Sequence, residues 1–477
     1  MAQSFLADSF LGYSDSLALF SKVKQNVGFQ SVEKMVYLPK NDFASQNILQ
    51  FEINNASPHY IDLKSVRLNV VCKIVGKNGE KITPPILKDI GGEDNPASED
   101  ETENTGERKK RAIDDPITEA VGVVDGFAHA MWRRIDVMLQ NQIVAGTEQS
   151  YPFLSNFKSL LYSSNQMKEG AMHSEIYYGD DPGQAKSDNW VLTENSGFKK
   201  RSELFSSSKL VEMSCPINVD VFQISKLIPG GVPLTVTLYP NSPDFCLMAP
   251  NKDAADEYKF VVTSASLSLN MVKVDNAILL AHNEILQNHD AIYPFINNKI
   301  KRVTLPAGIY QWEGTDPFAT QVPSQLICAL VKNSAAFGRL TENPFFFETA
   351  DLTSISVLVD NHHMVNSPIQ TQFSDSEDEN DFCLNAYNSL NGVVPGEACV
   401  NPILKSEFSQ GKAIYRFLYH PDCGLSSDQD EIPLRRTGNM KIGLTFRKPL
   451  PCPMTLLLMG SFPATLKIDK TKNVYQV

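Results

Sequence analysis

Eight histidines and eight cysteines are the residues best suited to metal or nucleophile chemistry, and their spacing argues against both. His362 and His363 adjoin at the end of a strand-like run, so their side chains point to opposite faces and do not share a metal. His420-Pro-Asp-Cys423 offers two ligands but no second pair at metal-finger spacing. His129 stands alone between Ala128 and Ala130. The cysteines, at 72, 215, 246, 328, 383, 399, 423 and 452, form no C-x-x-C pair, which fits a reducing compartment rather than a disulfide framework. The acidic run Ser374 to Asp381 has the composition of a calcium loop but lacks its central Gly and terminal Glu, and reads as solvated. No nucleophile elbow, Walker A loop, dinucleotide fingerprint or H-E-x-x-H occurs. These residues nominate no catalytic group, no cofactor and no metal ligand, and an enzyme is not expected.

What the sequence does nominate is contact chemistry. Asn343-Pro344 precedes Phe345-Phe346-Phe347, and an alternating run follows with Leu352, Ile355, Val357 and Val359. The Asn-Pro pair sets a turn and holds the chain extended. Phe345 and Phe347 then point one way and Phe346 the other. One side is expected to fill a local core, and the other to pack on a second domain or a neighbouring subunit; burial of all three in one core is the competing expectation. Each buried ring contributes roughly 1.5–3 kcal/mol. Arg133 and Arg134 lie in a strand and are candidates to reach a neighbouring chain, a plain surface charge being the default. Arg108, Lys109, Lys110 and Arg111 form a basic run with three open readings: nuclear localisation, proteolytic cleavage, or a solvated loop that offsets the acidic tract before it.

The elements that position these residues are mostly strands. Residues 1–40 read as an N-terminal arm, with Phe5, Leu6, Phe10, Leu11, Leu17, Leu19 and Phe20 at roughly helical spacing. Strand periodicity starts near 47 and runs through 61–75, 127–144, 209–219, 232–239 and 260–274. Residues 76–125 are rich in Gly, Pro, Glu and Asp and read as a long exposed loop. Tyr151 to Tyr162 reads as a helix with one apolar stripe, and 163–209 as loop. Asp275-Asn276 caps a connecting helix, 277–286. Strands restart at 300–305, 325–331, 352–359, 413–419, 440–447 and 454–460. The chain divides into an arm (1–40), a first β domain (41–275), a linker (276–297), a second β domain (298–468) and a tail (469–477). Regularly spaced short strands with turn signals suit sandwiches or jelly rolls.

Composition sets outer bounds. The chain has 477 residues, 42% of them hydrophobic, which fits two or three domains or one large two-part architecture. A net charge of −12 disfavours phosphate-backbone binding by the surface as a whole. No basic segment leads a long apolar run at the N-terminus, and no apolar run is long enough to span a bilayer.

Five stretches follow one another in an order that resembles a known family. They are PHYIDLKSVRLNVVCKIV (58–75), FAHAMWRRIDVMLQNQIVAGTEQSYPFLSNFKSLLYSS (127–164), VDVFQISKLIPGGVPLTVTLYPNSPDFCLM (219–248), FVVTSASLSLNMVKVDNAILLAHNEIL (260–286), and the run from LPAGIYQWEG through NPFFFETADLTSISVLVD (305–360). The series is similar to the major capsid proteins of Polinton/Maverick elements and the related adintoviruses, over roughly 50–460 with gaps at the acidic loops. The resemblance implies an all-β double jelly roll: two eight-stranded antiparallel β-sandwiches side by side, with short inter-strand helices and long loops. It implies a hexon-type structural protein. Homotrimers would form pseudo-hexameric capsomers and tile an icosahedral shell around double-stranded DNA, without reading its sequence, together with a penton or minor capsid partner. The location implied is the virion, with assembly in the host nucleus. The alternative is a monomeric tandem jelly-roll enzyme or glycan-binding protein of bicupin type. That version needs an H-x-H pair with a nearby Glu, and the chain has no H-x-H. A vertex protein is disfavoured because one jelly roll needs far fewer residues.

Overall fold

The computed structural model describes residues 28–41, 48–55, 58–82, 121–184, 195–249, 258–374, 381–391, 401–419 and 434–476. Eight main strands build the first half: β1 Phe29–Tyr37, β2 Leu49–Ile53, β3 His59–Gly76, β4 Trp132–Leu139, β5 Gln142–Gly146, β6 Val211–Pro216, β7 Leu234–Pro240 and β8 Tyr258–Val274. They pair antiparallel in two sheets, ordered β1-β8-β3-β6 and β2-β7-β4-β5. Eight more build the second half: β9 Ala291–Leu305, β10 Gln311–Thr315, β11 Gln325–Lys332, β12 Leu352–Val359, β13 His362–His363, β14 Ile414–Leu418, β15 Met440–Phe446 and β16 Met454–Ile468. Their sheets are ordered β9-β16-β11-β14 and β10-β15-β12-β13. Adding eight to each strand number turns one half into the other. In both halves the first strand pairs with the last and the second with the next to last, which is the winding of a jelly roll.

The alternating strands behave as period two requires. Along β3, Leu63, Val66, Leu68, Val70, Cys72 and Ile74 are buried, and along β12 Leu352, Ile355, Val357 and Val359 are. In β16 every residue from Met454 to Ser461 is buried, so both faces are covered. Three helices matter below: α1 Tyr151–Tyr162, α2 Ser196–Phe205 and α3 Asn276–Leu286. Pro152 in the first turn of α1 gives up a backbone donor that has no partner there anyway. Asp275 caps α3, its Oδ1 accepting the Ala277 N–H at 2.9 Å.

Several expected boundaries move. Residues 29–37 of the expected arm are strand β1, paired along β8 with Phe29 opposite Val274. The second half starts at Ala291, not near 298, because Pro294, Asn297 and Asn298 break the hydrophobic alternation without breaking the strand; β9 is an edge strand, where proline is tolerated. In the expected tail, Val474–Gln476 pairs with β16. The end of the expected 76–125 loop is core: Val121, Val123 and Val124 are buried, and Gly122–Val123 pairs with Leu247–Met248. Phe127–Ala130 is a short helix rather than strand, and the 163–209 region contains α2.

Candidate functional site

The chemistry-bearing residues gather where the two jelly rolls meet, and α1 is the pin. Every residue from Tyr151 to Leu161 is buried, including Ser155, Asn156, Lys158 and Ser159. A helix with one apolar stripe ordinarily leaves its polar face in water. Here the first half covers one face and the second half the other.

The phenylalanine run supplies the apolar part of the seam. Asn343 Oδ1 accepts the Phe345 N–H at 2.9 Å and fixes the turn. Phe347, fully buried, stacks on Phe157 of α1 at 5.2 Å and 18°. Phe345 meets Phe153 of α1 and Phe245 edge to face, at 6.0 and 5.8 Å. Phe346 turns the other way and lies over Gly411, where an added Cβ would come within 2.4 Å of the ring and where φ is +115°. A side chain at 411 is therefore excluded twice, by the ring and by the backbone. All three rings are buried within the chain: Phe345 and Phe347 join the first half, and Phe346 packs on its own half.

Charged pairs supply the polar part. Asp220, in the first half, receives the Lys158 ammonium at 2.6 Å. It also accepts the backbone N–H of Asn298 at 2.8 Å and the Asn298 side-chain amide at 2.7 Å, both from β9. Ser461 of β16 donates in turn to Asn298 Oδ1 at 2.6 Å. Gln325 of β11 donates to the Tyr162 hydroxyl at 3.1 Å and accepts from Arg416 Nε at 3.0 Å. Lys168 donates to the Leu160 and Pro402 carbonyls at 2.8 and 2.6 Å, tying α1 to the second half. Burial, with Lys412 nearby, pulls its pKa down to about 8.

Arg201 of α2 is fully buried. It donates to the Val123 carbonyl at 2.8 Å, to the Tyr178 carbonyl, and to Asp180 at 2.5 Å. The other Asp180 oxygen accepts the Asn343 amide at 2.8 Å, so one carboxylate links α2 to the turn that carries the phenylalanines. Asp125 beside it accepts the Tyr178 N–H at 2.8 Å. Burial pushes the Asp125 carboxyl up from its ordinary 3.8 to about 6, against the pull of Arg201. Below pH 3.8 folded and unfolded states both carry the proton. Between 3.8 and 6 the folded state holds a proton that the unfolded chain has released, so stability falls as pH rises through that window, and the full cost remains above it. Asp125→Asn keeps an oxygen for the Tyr178 N–H and removes the charge. Urea titrations should show it more stable than the parent at pH 7.5, by at most about 3 kcal/mol, and no different at pH 3.5.

His129 sits between the Tyr151 hydroxyl at 2.9 Å and Glu175 Oε2 at 3.1 Å, an arrangement that elsewhere moves protons. It is 3% exposed, and the cavities beside it and along the seam hold about 10 and 40 Å³, space for a water and not for a substrate. Burial raises the Cys72 thiol to about 12 and pushes Cys215, Cys246 and Cys328 up as well, so these thiols stay protonated at neutral pH. Among the described residues no group of three or more His, Cys, Asp or Glu is placed to hold a metal, and no helix is long and apolar enough to cross a membrane. His362 and His363 are exposed. Arg133 is exposed on β4, while Arg134 is committed to Asp136 at 2.8 Å and to the ring of Tyr239. Arg108 to Arg111, His420 and Cys423 lie outside the described residues. Sequence reasoning passed over Lys158, Asp220, Arg201 and Asp180; the signal available for the first was a lysine inside an apolar helix.

No protein-family model matches the chain. An uncharacterized protein of Caenorhabditis elegans is 21% identical over 418 residues, spanning 86% of this chain and 88% of that protein. Among solved structures, a chain of the Sputnik virophage covers 98% of this chain and is itself 93% covered, with a TM-score of 0.57 and 12% identity. A chain of the PBCV-1 virus capsid covers 96% and is 99% covered, with a TM-score of 0.52 and 8% identity. The fold is a double jelly roll. The Faustovirus major capsid protein shares it as well, with a TM-score of 0.51, 10% identity, and coverage of 94% of this chain and 92% of that one. In each case the likeness spans both halves of the chain.

Proposed function

We propose that this chain is a double jelly-roll major capsid protein of a Polinton/Maverick, adintovirus-like element. The observation that carries the reading is whole-chain likeness: capsid chains of unrelated sequence match both jelly rolls in one superposition, at 94% coverage or more. The seam supports it. Chemistry-bearing side chains are used to lock two sandwiches together, as a shell tile requires, and the cavities beside them hold only about 10 and 40 Å³. The nematode relative supports an element carried in a cellular genome. In this reading three chains form a pseudo-hexameric capsomer, capsomers tile an icosahedral shell around double-stranded DNA, and a penton or minor capsid protein fills the vertices. The protein ends in the virion after assembly in the nucleus, and Arg133 is the candidate for a contact between subunits. A closed trimer is the symmetric solution for such a tile.

Light scattering on the purified chain tests this. The expected mass is three times 53.0 kDa, or a larger assembly. A monomer that persists across salt and pH overturns it and favours the tandem jelly-roll enzyme or lectin.

A further inference from the structure

Helix α1 carries an acceptor that the seam leaves unanswered. Asn156 is 8% exposed, and its amide oxygen Oδ1 has no hydrogen-bond partner among the described residues. A buried polar atom is ordinarily paired, with protein or with water. Asn156 lines both small cavities of the seam, and so does Asp125. The larger cavity, of about 40 Å³, lies between the halves. Asp125, Asn156 and Asp180 wall it from the first half, and Asn343, Glu407 and Lys412 from the second. The Tyr178 N–H occupies Asp125 Oδ1, so Oδ2 is the oxygen left for the cavity. Two acceptor oxygens on one small space need a hydrogen between them. A protonated Asp125 supplies it, and an ionised one cannot.

The charges around Asp125 are set against one another. Burial outweighs Arg201 of α2 and Lys412 of the second half, which favour the ionised form, and Asp180 acts with burial. Glu407 is held by Lys412 at 2.8 Å, and Lys168, beyond the end of α1, feels both Glu407 and Asp125. Asp181 is spent on Ser196 at the start of α2, at 2.7 and 3.0 Å. Burial keeps the Tyr177 hydroxyl protonated, and His129, on the smaller cavity, is held by Tyr151 and Glu175. None of these groups donates to Asn156 Oδ1. Asp125 keeps part of its surface exposed, so a proton can come and go without unfolding the chain. A carboxyl that titrates at about 6 therefore sits on the contact between the two jelly rolls.

We propose that the seam is a proton-operated joint: Asp125, when protonated, donates to Asn156 Oδ1 across the cavity, and on losing that proton it draws water in and loosens the contact between the two jelly rolls. The joint belongs to a single chain and is independent of the capsid reading. Hydrogen exchange on the full chain at pH 5 and pH 7, corrected for the chemical exchange rate, tests it on the amides of residues 156–161 and 407–412. Their protection should fall about tenfold from pH 5 to pH 7, the share of a group titrating near 6 over that interval. Asp125→Asn can turn its own N–H toward Asn156 and should hold the seam protected at both pH values. Asn156→Leu removes the acceptor, and should lower protection at pH 5 and flatten the dependence on pH. The infrared band of a protonated carboxyl, identified by its loss in Asp125→Asn, should move to higher frequency in Asn156→Leu as its hydrogen bond is lost. A pH dependence that survives Asp125→Asn overturns the proposal, as does a carboxyl band that Asn156→Leu leaves in place. If Asn156→Leu fails to fold, the Asp125→Asn comparison alone decides: equal pH dependence in variant and parent rejects the joint.

Discussion

Phe347→Ala should be among the most damaging single changes to this chain, costing about 3–5 kcal/mol in urea unfolding. The ring is fully buried and stacked on Phe157, so truncation loses its transfer energy and leaves a cavity that neither sandwich can close alone. Because the lost contact joins the two halves, unfolding should broaden or split relative to the parent, with one jelly roll melting before the other. The matched control is Phe382→Ala, at a ring that is 68% exposed, which should stay within about 0.5 kcal/mol of the parent. A Phe347→Ala cost no larger than the control's would mean that the aromatic seam does not hold the halves together. Phe157→Ala in the same background measures the stack itself, with a coupling of about 0.5–1.5 kcal/mol.

Asp220→Ala should cost a similar amount by different physics. Lys158 is buried with its ammonium on Asp220 and the Asn218 carbonyl, so removing the carboxylate strands a positive charge in the seam. Breaking one partner of a buried pair typically costs about 3–5 kcal/mol. The backbone N–H of Asn298 loses its acceptor as well. Adding Lys158→Met should recover much of the loss, since no charge is then stranded. If Asp220→Ala alone costs less than about 1 kcal/mol, the pair contributes no more than a surface ion pair does, and the polar half of the seam is misread.

These two sites also mark the limit of what the residues disclosed. Strands β3 and β12 were legible because one face of each is in the core and the other is not, so the pattern carries period two. Strand β16 was legible only as far as 460 as an apolar run, and β9 only from 300, because Asn297 and Asn298 look like a turn. Asn298 is polar because Asp220 needs it, which no local pattern encodes. Helix α1 announced itself through Phe153, Leu154, Phe157, Leu160 and Leu161, but the burial of Ser155, Asn156, Lys158 and Ser159 depends on a second domain hundreds of residues away. Arg201 lay in a stretch that read as loop, and its partners Val123, Tyr178 and Asp180 come from two other segments. The phenylalanine run stood out as contact-forming by composition; which surface it meets is tertiary information. The jelly-roll winding came from resemblance, since period two identifies strands and not their order.

That winding has a consequence for how the protein is made. Among the described residues strand β1 pairs with β8 alone, with Phe29 opposite Val274, so the first sandwich cannot close until residue 274 has left the ribosome. At about 5–20 residues per second, that leaves a translated but unclosed first half waiting on the order of ten seconds or longer. During that wait β3, eighteen residues long and apolar on one face, has no neighbour on the β8 side. Contacts this distant in sequence also form slowly once the chain is complete. For that time the nascent chain carries a long unpaired strand edge, the kind of surface that pairs wrongly with other chains.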